Sequence, residues 1–220
     1  MKAKRCAYCG KITENPQKEH VFPKCLYSPS KERSKIQRLT VFACANCNNS
    51  WSDDEAHFRN VLLLSGDPPN LPRQELWKGP VRRSFKKIDG EKRVRDLLQL
   101  IEPVQTEQGL RQIIYPAKDE RVMRVVRKIV RGLCHYHKKM PPVSDIRVWT
   151  DVLRCAIPKT ILTQMKYHHR EEDIVEYWYL MLNDPLIHSA WLFLFYKSAK
   201  FIGLVSNKKN GFPNDFSLTP

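Results

Sequence analysis

Apolar positions recur at three- and four-residue spacing most clearly in one stretch of the chain. Val122, Val126, Ile129, Val130 and Leu133 fall on one side of a helix that Asp119 is well placed to cap. Arg121, Arg124, Lys128 and Arg131 repeat at threes and fours on another side, so one element carries an apolar stripe and a basic stripe. Pro141 and Pro142 end that pattern, and residues 144–155 read as a second helix. Aromatic and branched residues dominate farther on. Residues 175–181, 190–196 and 200–205 predict three short strands, the last two forming a hairpin across Lys197, Ser198 and Ala199. A buried helix over 174–182 is the alternative for the first of them.

A run of Ser, Gly, Asp, Pro, Pro, Asn, Leu and Pro over residues 65–72 breaks the chain. It divides the sequence into an N-terminal module (1–66), a linking segment of mixed pattern (67–118) and an α+β C-terminal region (119–220). No internal repeat or low-complexity tract is visible.

With 220 residues, 42% of them hydrophobic, the chain can bury a core without disulfides. The formal net charge of +15 predicts attraction to a polyanion, since each lysine or arginine placed on a phosphate releases a condensed counterion. The charge is uneven. Residues 1–50 hold ten Lys/Arg against three Asp/Glu, and residues 119–139 hold seven against two. Two contact patches are therefore expected, with Arg121, Arg124, Lys128 and Arg131 touching nucleic acid; an ordinary solvated helix face is the alternative for that stripe. No secretory leader pattern opens the sequence, and the most apolar run, 191–196, is far too short to span a bilayer. A soluble, cytoplasmic protein without a membrane partner is the expectation.

Seven cysteines are an odd number. Four form two tight pairs, Cys6/Cys9 and Cys44/Cys47, and a two-residue spacer lets both thiolates of a pair reach one ion. Four thiolates complete the closed shell of a structural zinc, and Gly10 suits the turn leaving the first pair. Such a site leaves no open position for a reactive water. The long loop between the pairs implies that something functional is held inside it. Cys25, Cys134 and Cys155 have no such partners and read as buried small hydrophobes.

Inside the loop stands Glu19-His20-Val21-Phe22-Pro23, and Asn48-Asn49-Ser50-Trp51 follows the second pair directly. In this arrangement the chain resembles the HNH endonucleases in which two CxxC pairs bracket the active site. The resemblance covers roughly residues 1–65 and implies a zinc-stapled module of two antiparallel strands and a helix around one divalent ion. It implies that Glu19 and Asn48 hold magnesium or manganese while His20 takes the proton from water; the imidazole's ordinary pKa of ~6.5 suits that task. Double-stranded DNA is the implied substrate, and a host-defence role is compatible with such an activity. One departure from the family pattern lies before the second pair, where an Asn usually steadies the histidine loop. Here residues 38–43 contain none, and Thr40 is the candidate replacement. Asn49, Asp53 and His57 share a helix face, read as a solvated side with His57 as the reserve base. Asp54 and Glu55 read as helix-start acids.

Two further readings need only the cysteines: a zinc ribbon that binds nucleic acid without cutting it, and a zinc-scaffolded regulatory protein with protein partners. Neither accounts for Glu19, His20 and Asn48 at their spacing.

Overall fold

The first cysteine turn hangs on a minimal ladder in the computed structural model, which describes residues 3–28, 38–64, 71–106, 109–114, 119–153, 155–171, 174–213 and 216–217. Strands β1 (Lys4–Arg5) and β2 (Ile12–Thr13) pair antiparallel, and Gly10 takes the left-handed turn (φ 74°) that lets the chain reverse between them. Strand β3 (Gln17–His20) pairs antiparallel with β4 (Thr40–Ala43), with His20 opposite Thr40. Two helices follow at once: α1 (Ala45–Asn49), which carries Cys47 and Asn48, and α2 (Ser52–Leu64). The amide of Ala7 donates to the carbonyl of Phe42 at 2.8 Å, locking the first cysteine turn to β4.

The linking segment contains helices α3 (Leu71–Leu76), α4 (Arg82–Phe85) and α5 (Gly90–Leu98), with a wide helical turn over Trp77–Val81 that accommodates Pro80. A separate hairpin pairs β5 (Ile101–Thr106) with β6 (Gly109–Ile114). Most of the break at 65–72 lies outside the described residues.

Helix α6 (Glu120–Tyr136) is the expected one, and the Asp119 side chain caps it by accepting from the Arg121 amide at 2.9 Å. After it comes strand β7 (Val148–Val152), where a second helix was expected over 144–155. The spacing of Val148 and Val152 suits a helix, but β11 has an open edge there, and pairing Val148 with Val205 and Val152 with Phe201 satisfies both backbones. The short helix α7 (Lys159–Leu162) leads to β8 (Lys166–Glu171), β9 (Val175–Met181), β10 (Ile187–Phe195) and β11 (Ala199–Ser206). Within 174–182, Val175–Met181 is thus strand rather than buried helix, and β10 and β11 form the expected hairpin. One antiparallel five-stranded sheet results, in the order β7-β11-β10-β9-β8.

Helix α6 is buried on two sides. Gly203 in β11 gives it room, since a Cβ there would lie 2.6 Å from the Val130 methyl. Toward the N-terminal segment, Phe22 and Phe58 meet Phe195 with ring centroids 6.4 and 5.3 Å apart. Apolar residues of the first 64 positions, α6 and the sheet belong to one continuous core. No helix among the described residues is long and apolar enough to cross a membrane.

Candidate metal and active site

The sulfurs of Cys6, Cys9, Cys44 and Cys47 lie within 4.8 Å of one another. Cys9 and Cys44 are 3.8 Å apart, matching the edge of a tetrahedron with zinc–sulfur bonds of ~2.3 Å. The four thiols therefore can hold a single metal ion such as zinc, and that chemistry suits the all-sulfur donor set. Cys25 is half-buried with its thiol on the Glu55 carbonyl at 3.3 Å, and Cys134 is buried. Burial pushes both thiols up to about 12, so they stay protonated and inert. Cys155 is exposed instead of buried, because it follows an edge strand rather than closing a helix.

Strand β3 delivers Glu19 inward and His20 toward its end. Glu19 is only 9% exposed and ion-paired with Lys128, whose Nζ also donates to Glu55 and to the His20 carbonyl at 3.1 Å. His20 is half-buried, and its Nδ1 has no hydrogen-bond partner. Thr40 lies directly across the ladder but does not supply one. Burial first, then the nearby charges of Arg38, Lys128 and Lys24, hold the imidazole below its usual pKa. Asn48 sits on α1, which packs against β3, and its buried Oδ1 is also unpartnered. Among the described residues four further buried atoms share this condition: His188 Nδ1 and the Ser198 hydroxyl in the C-terminal sheet region and, within the N-terminal segment, the Tyr8 hydroxyl and Trp51 Nε1. The Tyr8 and Trp51 rings lie 6.0 Å apart. Burial, followed by the Glu19 carboxylate, pushes the Tyr8 phenol well above its usual value.

The basic stripe of α6 is not a solvent-facing row. Lys128 is fully buried. Arg131 is 7% exposed and donates to the carbonyls of Val143 (2.7 Å) and Tyr8 (2.9 Å). Neither can reach a phosphate backbone, which corrects their assignment as nucleic-acid contacts. Arg121 is tied to Asp96 and Asp119, and Arg124 to Asp54 while stacking on Trp51. Local periodicity placed these residues on one face but carried no information about what covers it.

His57, the reserve base, is buried and bonded to Asp119 at 2.6 Å. Asp119 thus caps α6 and fixes α2 to it. Burial alone would raise its carboxyl, yet His57 and then Arg121 hold it well below the usual range. Asn49 and Asp53 are exposed on α1 and α2.

Glu55 is the member of the Lys128 cluster that spacing did not reveal. It resembles any acid in the first turn of a helix, and only the fold brings Lys128 to it. A second missed feature is an open groove of about 670 Å³ lined by Thr40, Phe42, His135, Lys138 and Lys139 among others. It reaches the residue paired with His20. Among the described residues the cysteines are the one group of three or more Cys, His, Asp or Glu ligand atoms gathered closely enough to share an ion. Comparison with known protein families, with curated proteins and with solved structures finds no match to this chain.

Proposed function

We propose that this protein is an HNH-type, metal-dependent endonuclease that hydrolyses phosphodiester bonds, with DNA as its substrate and zinc as a structural staple. One observation carries the reading. His20 Nδ1 and Asn48 Oδ1 are buried without hydrogen-bond partners on neighbouring elements, and Glu19 on the same strand faces a site with two carboxylates and one ammonium. Native folds pair nearly all such atoms, so these unpaired ones suit ordered water or an ion with its waters. The donor types fit magnesium or manganese: Glu19 and Asn48 would hold it through hard oxygens. When bound, the ion supplies charge against the phosphate and lowers the pKa of water.

The chain's own residues account for the rest. His20 accepts the proton of the attacking water, and the strand–loop junction at Val21, buried and bonded to Leu39, fixes the backbone that carries the ring. The groove lined by Lys138 and Lys139 offers the phosphate backbone a basic path toward Thr40 and His20. A second reading, a zinc ribbon that binds without cutting, draws on the Lys128 ammonium that already satisfies Glu19.

A plasmid cleavage assay with magnesium or manganese separates the two. Wild type should nick or cut DNA, and His20→Ala should cut at least ~10²-fold more slowly while binding DNA normally. Equal rates for both proteins would refute His20 as the base, and no cleavage by wild type would favour the binding module.

A further inference from the structure

Residues 82–98 hold seven Lys/Arg against three Asp/Glu, a basic segment as dense as the α6 stripe but differently disposed. On α6 the cations of the stripe are buried or paired. Here Arg93 is paired with Asp89. The side chains of Arg82, Arg83, Lys86, Lys87, Lys92 and Arg95 are exposed, with no hydrogen bond or ion pair among the described residues. Arg82 and Lys86, and likewise Arg83 and Lys87, stand four positions apart through α4 and the turn after it, a like-charge spacing that costs helix stability. An acid among them would relieve that repulsion, and none is placed there. The arrangement suits a ligand that brings its own negative charge.

A second observation is geometric. Helices α4 and α5 meet at a sharp turn whose apex is Lys86-Lys87-Ile88. The Gly90 amide closes the turn on the Lys87 carbonyl at 2.8 Å. A Cβ on Gly90 would lie 1.9 Å from the Phe85 carbonyl oxygen, so only glycine lets the two helices approach this closely. Ile88 is held fully out in solvent, directly after the two lysines. A single exposed apolar residue is ordinary on a protein surface. One at the apex of a basic turn has the makeup of a groove contact, with cations for phosphates and an apolar tip for sugars and base edges. The base of the turn is anchored. Trp77 packs edge-on against Phe85 with ring centroids 6.2 Å apart, and Asp96 of α5 holds Arg121 of α6 at 2.6 Å. Asp89, Arg93 and Asp96 also share a polar pocket of about 160 Å³ with Asp53 and His57 of α2, the helix that begins shortly after Asn48.

We propose that the α4–α5 turn is a DNA-contacting element, in which Lys86 and Lys87 bind backbone phosphates and Ile88 lies in the groove between the strands. The inference rests on DNA as the ligand of the proposed function, and not on cleavage. An anionic membrane also presents phosphates, but holding one takes a broad apolar face beside the cations. This apex offers one isoleucine beside Arg82, Arg83, Lys86 and Lys87.

The test uses the zinc-loaded full-length chain and a short fluorescein-labelled DNA duplex, with anisotropy read over a range of salt concentrations. Lys86→Gln/Lys87→Gln should lower affinity at least ~10-fold and reduce the slope of log K against log salt by about 1.8, since each lost phosphate contact removes about 0.9 from that slope. Ile88→Ser should weaken binding at least ~5-fold with the slope unchanged, because it removes apolar contact and no charge. The three positions are exposed, so the melting temperature should hold in both variants and binding reports the contact itself. Unchanged affinity and slope in Lys86→Gln/Lys87→Gln overturns the proposal, as does a wild type that binds phosphatidylserine–phosphatidylcholine vesicles but not the duplex. Wild-type affinity in Ile88→Ser overturns the placement of the apex in the groove. Binding that depends on these lysines, together with no DNA cleavage by wild type, keeps the contact and ends the nuclease reading. Cleavage by wild type with both variants binding as it does is the reverse result.

Discussion

Replacing Arg131 with methionine should cost far more stability than the same change at Arg124, although both lie on one helix and belong to one sequence stripe. Met keeps most of the apolar stem and removes the guanidinium. At Arg131 that leaves the Val143 and Tyr8 carbonyls, now bonded at 2.7 and 2.9 Å, facing protein without a donor. Bonds from a charged donor contribute about 1.5–3 kcal/mol each, so the loss is about 3–6 kcal/mol. Arg124 has a side chain 41% exposed and pairs with Asp54, where solvent screening leaves about 0–1 kcal/mol. For a chain of this size each kcal/mol moves the midpoint by about 2–4 °C. Scanning calorimetry of the zinc-loaded proteins should thus show a drop of roughly 6–24 °C for Arg131→Met and under about 4 °C for Arg124→Met. Because the Tyr8 carbonyl lies inside the first cysteine turn, Arg131→Met should also lose zinc to a chelator faster. Equal, small drops for both variants would refute the assignment of Arg131 as an internal strut and restore the picture of a solvated stripe.

Purified protein should contain one zinc per chain, and removing it should collapse the N-terminal fold, since structural zinc sites contribute about 10–16 kcal/mol against typical stabilities of about 5–15. Circular dichroism that is unchanged after complete zinc removal would contradict this. Gly203→Ala should destabilise by about 1–3 kcal/mol through its clash with Val130, and Val130→Ala should relieve part of that cost in the double variant; additive losses in urea unfolding would show that the contact is not the cause. Burial lowers the pKa of His135 below its usual ~6.5, so the unfolded chain takes up that proton more readily and stability falls as pH drops through this range. His135→Gln should flatten the slope of stability between pH ~7.5 and ~5.5, and an unchanged slope would place the effect elsewhere.

Strong local periodicity made some of this legible. The apolar positions of α6, its Asp119 cap and the three aromatic strands follow from patterns within a single element. The spacing of the cysteine pairs likewise anticipated their convergence. Strand β7 was hidden because its residues fit a helix as well, and the choice is made by an open edge on β11. Strand β8, with its Lys166-Tyr167-His168-His169 run, lacks an apolar alternation and takes its shape from pairing with β9. Residues Glu55, Lys128 and Arg131 look like ordinary surface charges in sequence; their roles depend on oxygens far away along the chain. The unpartnered atoms of His20 and Asn48 are likewise properties of packing, although their residue types and spacing drew attention to them.

The contacts that complete the N-terminal site also order its assembly during synthesis. Glu19 meets Lys128 across a separation of 109 residues, the Tyr8 carbonyl meets Arg131 across 123, and the Leu26 carbonyl waits 170 residues for the Tyr196 hydroxyl at 2.7 Å. At about 5–20 residues per second, the ribosome keeps the first 26 residues without these partners for roughly 5 to 35 seconds. During that interval the cysteines can already capture zinc, while Glu19 has no counter-ion and Phe22 and Phe58 have no sheet to cover them. The nascent chain would therefore pass through a metal-bound but unfinished state, and the carboxylate cage would close only once α6 and the β10–β11 hairpin had emerged.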